Sequence, residues 1–178
     1  MSQLTITEAL AELKTLGKRI EKKREFVAAY LWRQEKFKDP LEKTGGSVTA
    51  IKAERQAIAD LEERLVLIRR RINDANALTP VTIGETTRSL ADWIIWKRDV
   101  SAGQVAFLAK MGTAVAHVRK EATQKGLTVL SGAATTPDDV IVNVDEQELA
   151  KQMEALQDVL GKLDGQLSLK NALTVIEV

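Results

Sequence analysis

Any chemistry in this sequence would have to come from a handful of side chains. His117 is its one histidine, and there is no cysteine. A lone imidazole cannot anchor a typical transition-metal site, and as a general base it needs a carboxylate or hydroxyl that the sequence does not place. Val115 and Val118 flank it, with Arg119 and Lys120 beside it, as around a surface or boundary histidine. Asp138-Asp139 and Asp145-Glu146 could attract a divalent cation, but their spacing fits no EF-hand loop and reads better as solvated strand and helix ends. There is no glycine-rich phosphate loop, zinc-binding histidine pair or thiol nucleophile. The expectation is a non-enzymatic protein with no catalytic residues, no cofactor and no metal.

Binding offers more. Two basic runs, Lys18-Arg19-Ile20-Glu21-Lys22-Lys23-Arg24 and Arg69-Arg70-Arg71, are candidates for contact with an anionic partner, nucleic acid included. Trp32, Trp93, Trp96 and Phe107 are the candidates for a protein or oligomer contact, because large aromatic side chains dominate such surfaces, although each tryptophan taken singly reads more simply as buried within the subunit.

The elements that must position these residues follow from periodicity. Ile6, Leu13, Ile20 and Val27 fall seven apart, with Ala9, Leu16 and Tyr30 on a second row. Ile51, Ile58, Leu65 and Ile72 repeat the device, with Leu61, Ile68 and Ala75 beside them. A seven-residue period sustained over several heptads predicts two long helices, about 5–37 and 47–78, folded back as an antiparallel coiled-coil hairpin. Thr5 and Glu8 have capping-box spacing, and Pro40 forces Asp39 out of helical geometry. Gly45-Gly46 can take left-handed angles, and Ser47 offers an N-cap. If Phe37 faces Ser47, Lys22, Lys23 and Arg24 meet the segment holding Asp60, Glu62 and Glu63. Pairing between the arms then accounts for the first basic run more simply than phosphate binding does, whereas Arg69, Arg70 and Arg71 face only Glu8 and Glu12.

Asn73 and Asn76 share a face near the end of the second arm and read as polar junction residues, and Thr79-Pro80 closes the helix. A strand at 81–83 and a turn at Gly84-Glu85 precede a third helix, about 89–125, capped by Ser89 with Asp92. Its apolar face is broad: Trp93, Val100, Phe107 and Ala114 make one row, and Ile94, Leu108, Val115 and Ala122 another. Such a face calls for more than one covering neighbour. Gly103 and Gly112 within it imply close helix approach or a kink. Residues 126–138 read as a mobile or partner-ordered loop, 140–144 as a strand, 145–171 as a fourth helix and 173–177 as a last strand. The fold class is mainly α: the hairpin over 1–78, then a helical base over 79–178 with two further helices and a small three-stranded β element.

Composition bounds the function. Of 178 residues 44% are apolar, 29% charged and only 4% aromatic, a balance of long solvated helices. The net charge of +1 removes global steering toward nucleic acid or an anionic surface. It is unevenly spread, with 16 Lys+Arg against 12 Asp+Glu in residues 1–78 and 3 against 9 in 138–178. No basic-then-apolar leader or bilayer-length apolar run is present, so a cytosolic protein without a membrane partner is expected.

Several short motifs carry a family resemblance. They are Glu8-Ala9-Leu10 with Lys14, Arg71-Ile72-Asn73 with Asn76 and Thr79, Ser89-Leu90-Ala91 with Lys97-Arg98-Asp99, and Leu163-Asp164 through Asn171 before the last strand. In that order they resemble a family of small bacterial helical proteins sometimes labelled septicolysin. The chain departs from it in the hairpin loop and in carrying Ala172 where the family commonly has tryptophan. The resemblance implies a helical hairpin on a mixed base that assembles into oligomers, with relatives on phage genomes. The label suggests a lytic toxin, but no pore-forming sheet is legible in the sequence. The expected function is therefore an oligomerising coiled-coil scaffold with itself or another protein as partner. The alternatives are a virion component docking through the hairpin or the 126–138 loop, and a nucleic-acid-binding module.

Overall fold

The computed structural model describes residues 3–130 and 136–178, and the fold is mainly α. The chain divides into two compact units, residues 1–78 with 168–178 and residues 79–167. The tail 168–178 belongs with the first unit rather than the second.

In the first unit β1 (Gln3–Thr5) leads into α1 (Ile6–Ala29), and α2 (Ser47–Leu78) returns antiparallel to it. The capping box forms as spaced: the Thr5 hydroxyl accepts from the Glu8 amide at 3.2 Å, and the Thr5 amide donates back to the Glu8 carboxylate at 2.8 Å. The seven-spaced rows meet between the arms. Ile6, Ala9, Leu16, Ile68 and Ile72 are buried together, and Leu13, Leu61 and Leu65 pack against them. Strand β6 (Val175–Glu177) lies antiparallel on β1 and sets Ile176, also buried, opposite Leu4.

The first helix ends at Ala29, not at Phe37. The apolar rows alone would carry it further, but Asp39 draws the chain away. Its carboxylate accepts from the Leu41 amide at 2.8 Å, the Ser47 amide at 2.7 Å and the Ser47 hydroxyl at 2.5 Å. Arg33 donates to the Phe37 carbonyl at 2.9 Å, and Gly45 and Gly46 take φ of +100° and +86°. The shorter arm resets the register. Lys23 pairs with Glu54 at 2.7 Å rather than with the segment at 60–63, while Arg24 reaches Glu62 at 2.7 Å and Arg64 reaches Glu12 at 2.6 Å.

In the second unit β2 (Pro80–Ile83) and β3 (Thr86–Ser89) form a hairpin about Gly84-Glu85, which the sequence reading took as a plain turn into the helix. Helix α3 (Leu90–Trp96) starts at the Ser89 cap, where the Asp92 amide donates to the Ser89 hydroxyl at 3.1 Å. It runs through a wide π-helical turn (Lys97–Ser101) into α4 (Ala102–Gln124). After β4 (Val129–Leu130) and β5 (Val140–Ile141), α5 (Glu146–Leu173) runs antiparallel to α4. Arg119 pairs with Glu146 at one end and Lys97 with Asp164 at the other. A Cβ at Gly112 would stand 3.9 Å from Leu149, an ordinary contact, so the approach of α5 here does not require a glycine. The core here is Val81, Ile83, Leu90, Trp93 and Leu163.

The π-helical turn changes which row is buried. Trp93 is buried, but the seven-spaced row drawn from it, Val100, Phe107 and Ala114, is exposed. The row that turns inward is one residue later: Ser101, Val115 and Ala122 are buried and Leu108 is half-buried. A π turn inserts one residue into the helix, so the downstream face slips by about 100°. The Ser101 hydroxyl donates to the Lys97 carbonyl at 2.8 Å within that turn.

The expected three-stranded sheet does not form. Among the described residues the three candidate strands sit in three separate two-stranded ribbons, β1 with β6, β2 with β3 and, in parallel, β4 with β5. Each finds a partner close to a helix terminus, and two of those partners, at 3–5 and 129–130, are too short to read as strands from pattern. Of the 140–144 run only Val140 and Ile141 pair.

Replacing Ile68, which is fully buried, with alanine is expected to lower unfolding free energy by about 2–5 kcal/mol in urea titrations. Asp74→Ala, on the exposed side of the same helix, should change it by no more than about 0.5 kcal/mol.

Candidate functional site

The Asp39 network holds the loop after α1 in place and, in doing so, presents apolar side chains to solvent. Leu31, Trp32 and Phe37 are exposed on this loop and Val48 at the head of α2, with Trp32 at 76% and Val48 at 83%. Lys36 places its ammonium 5.0 Å from the centre of the Phe37 ring. Leu31 and Val48 border a shallow groove with Ile51, Lys52, Arg55 and Gln56. Three hydrogen bonds to one carboxylate are an unusual expense on a surface loop unless its conformation matters. They hold the Asp39 carboxyl below the usual carboxylate range, the Ser47 hydroxyl contributing most, then the Ser47 and Leu41 amides.

The aromatic candidates therefore part company. Trp32 is a surface residue. Trp93 is not: its candidacy for a contact surface is corrected, and it is buried within the chain, as each tryptophan taken singly reads, at 3% exposure with its indole N–H donating to the Val81 carbonyl at 3.0 Å. Half-buried Trp96 packs edge-on against it with ring centres 5.6 Å apart, and the Arg88 guanidinium lies 5.0 Å from the Trp93 ring centre. Phe107 is 62% exposed beside a groove that Gln104, Leu108, Gln152 and Leu156 complete.

The cationic candidates divide likewise. Lys23 is spent on Glu54, and Lys22 is exposed. Arg69, Arg70 and Arg71 are exposed, and none has an ion-pair partner among the described residues. Arg70 joins Ala59, Glu62, Glu63, Val66 and Leu67 around a shallow groove on the outer face of α2. Sequence reasoning missed this face, and also Leu31, Val48 and the role of Asp39. The signal for Val66 and Val48 was available: they are apolar residues standing outside both seven-spaced rows.

Among the described residues no group of three or more His, Asp or Glu side chains is placed to hold a metal ion. His117 is exposed, with Nε2 4.0 Å from a Glu121 carboxylate oxygen. The Asp139 carboxylate accepts from the Thr136 amide at 2.7 Å, and Asp145 caps α5 through the Gln147 amide at 2.9 Å. Glu146 is engaged by Arg119. The candidate cation positions are thus occupied by local structural bonds. Part of the loop considered for docking, residues 131–135, lies outside the described residues. No helix among them is long and apolar enough to cross a membrane.

No protein-family model matches the chain, and no curated protein matches it. Among solved structures, one described as a functionally unknown conserved protein from Corynebacterium diphtheriae is similar to it. The two share 18% identity and a TM-score of 0.47, over 99% of this chain and 100% of that one.

Asp39→Ala should release the loop: the amides of Leu41 and Ser47 lose protection from hydrogen exchange, while those of mid-α2 keep it. Because the folded carboxyl titrates below its ordinary range, its stabilisation is complete above that range and disappears as pH falls through the lowered value. Unchanged exchange at both amides would show that the loop is held by something else.

Proposed function

We propose that the protein is a non-enzymatic scaffold of coiled-coil type that assembles with copies of itself. The observation that carries this reading is the surface it leaves uncovered. The chain exposes 12656 Å². Two wholly separate compact domains of half its mass each would expose about 10,300 Å², so the excess does not depend on how the two units are placed. Much of that surface is apolar and ordered on helices, Val100 and Phe107 on one and Val66 and Leu67 on another. Apolar side chains fixed in rows on rigid elements are a cause of association rather than of chemistry. The uneven charge, basic in residues 1–78 and acidic in 138–178, favours contact between copies in the same direction.

A second reading, a component that docks on a different protein such as a virion subunit, is favoured by one particular observation. The Asp39 loop holds Leu31, Trp32 and Phe37 out in solvent among Arg33, Lys36 and Lys38, an arrangement suited to anchoring in a pocket of another protein.

Light scattering of the purified chain at micromolar concentration, at low and at high salt, tests the first reading: a mass of two or more chains is expected in at least one condition. A monomer in both rejects self-assembly. The second reading then predicts the protein in purified particles by mass spectrometry, and loss of that incorporation in a Trp32→Ala, Phe37→Ala double variant.

A further inference from the structure

On α2 the residues that face α1 are Leu61, Leu65, Ile68 and Ile72, all in or against the first unit's core. Ala59, Glu63, Val66 and Arg70 are spaced by four, three and four, so at 100° per residue they fall on the opposite face. All four are exposed, Val66 at 64%. Their order has a symmetry that the other exposed faces lack. Val66 and Leu67 sit at the centre, with an acid on one side and a base on the other at equal distance along the helix, Glu63 and Arg70. Neither charge has an ion-pair partner among the described residues, so both are open to a partner outside the chain.

A face with this order complements itself when turned end for end. We infer that the outer face of α2 is a two-fold interface between copies of this chain, an inference that rests on the self-assembly reading above. The helices lie antiparallel across an axis level with the Val66-Leu67 peptide. Val66 of one copy then covers Leu67 of the other, and Glu63 meets the second copy's Arg70 on both sides of the axis. Ala59 is small enough to let the helices approach closely at the flank. An isologous contact uses every group twice, so one well-placed acid and one well-placed base give two cross-copy pairs. It also provides a use for arginines that the hairpin leaves unneutralised. Because the pairs are exposed at the rim of a modest apolar centre, they set register and orientation more than affinity, and salt weakens them.

Charge reversal tests this directly. Glu63→Arg and Arg70→Glu are each expected to weaken self-association about tenfold by sedimentation equilibrium, since each turns two attractions into two repulsions. The double variant E63R/R70E restores both pairs and with them the wild-type association. The chain lacks cysteine, so a Val66→Cys variant treated with a short bis-maleimide should be joined into covalent dimers. A Thr44→Cys variant, on the loop before α2, should not. If the wild-type chain associates but neither reversal changes it and Val66→Cys is not joined, the two-fold interface is overturned while self-assembly stands. If the wild-type chain is a monomer at low salt, both fall together.

Discussion

A pair of helices can bury only the stripe that lies between them. In each of this protein's two units the helices form such a pair, α1 with α2 in one and α4 with α5 in the other, with one small ribbon in the first unit and two in the second. A stripe of that kind takes in Ile6, Leu16, Ile68 and Ile72, or Val115 and Leu149, and leaves most of each helix in water. Cross-arm ion pairs such as Glu12 with Arg64 then guard the edges of the stripe. The uncovered apolar rows follow from that geometry, because a helix with a single neighbour leaves its remaining faces to solvent.

That constraint also explains what could be read from the sequence. The stripe is periodic, so the hairpin was legible, and so were the caps at Thr5 and Ser89, each resting on bonds between residues three apart. The end of α1 was not. Phe37 falls seven after Tyr30 and prolongs the apolar row, while the chain beyond Ala29 is held by a carboxylate at Asp39 that bonds to Ser47, eight residues away. The β pairing was equally hidden. Gln3, Leu4 and Thr5 become a strand only because the other end of the chain supplies Val175, Ile176 and Glu177 to pair with them, and no local pattern records that partner.

The candidate surfaces were half legible for the same reason. Residue type marked Trp32, Trp93, Trp96 and Phe107 alike, yet type does not say which way a side chain turns. Trp93 went inside because Val81 offers its indole a carbonyl, and Trp32 stayed outside because the helix had already ended. Arg69, Arg70 and Arg71 were singled out as cations short of neighbours, and none has an ion-pair partner among the described residues.

The wide turn at Lys97–Ser101 gives the second unit a kind of rotary setting. Since one surplus residue there decides which side of α4 (Ala102–Gln124) meets α5, losing that residue would turn the stretch into ordinary α-helix in which Ser101 falls seven places after Trp93, and Leu108, Val115 and Ala122 would keep their inward positions. Closing the turn to α-helix with all five residues kept would instead spin the whole downstream segment by more than a quarter circle, swinging Val100, Phe107 and Ala114 inward as Leu108, Val115 and Ala122 came out to water. The molecule thus keeps, in five residues, the choice between a sticky exterior and a well-filled seam, and that choice turns on how those residues are wound rather than on how many there are.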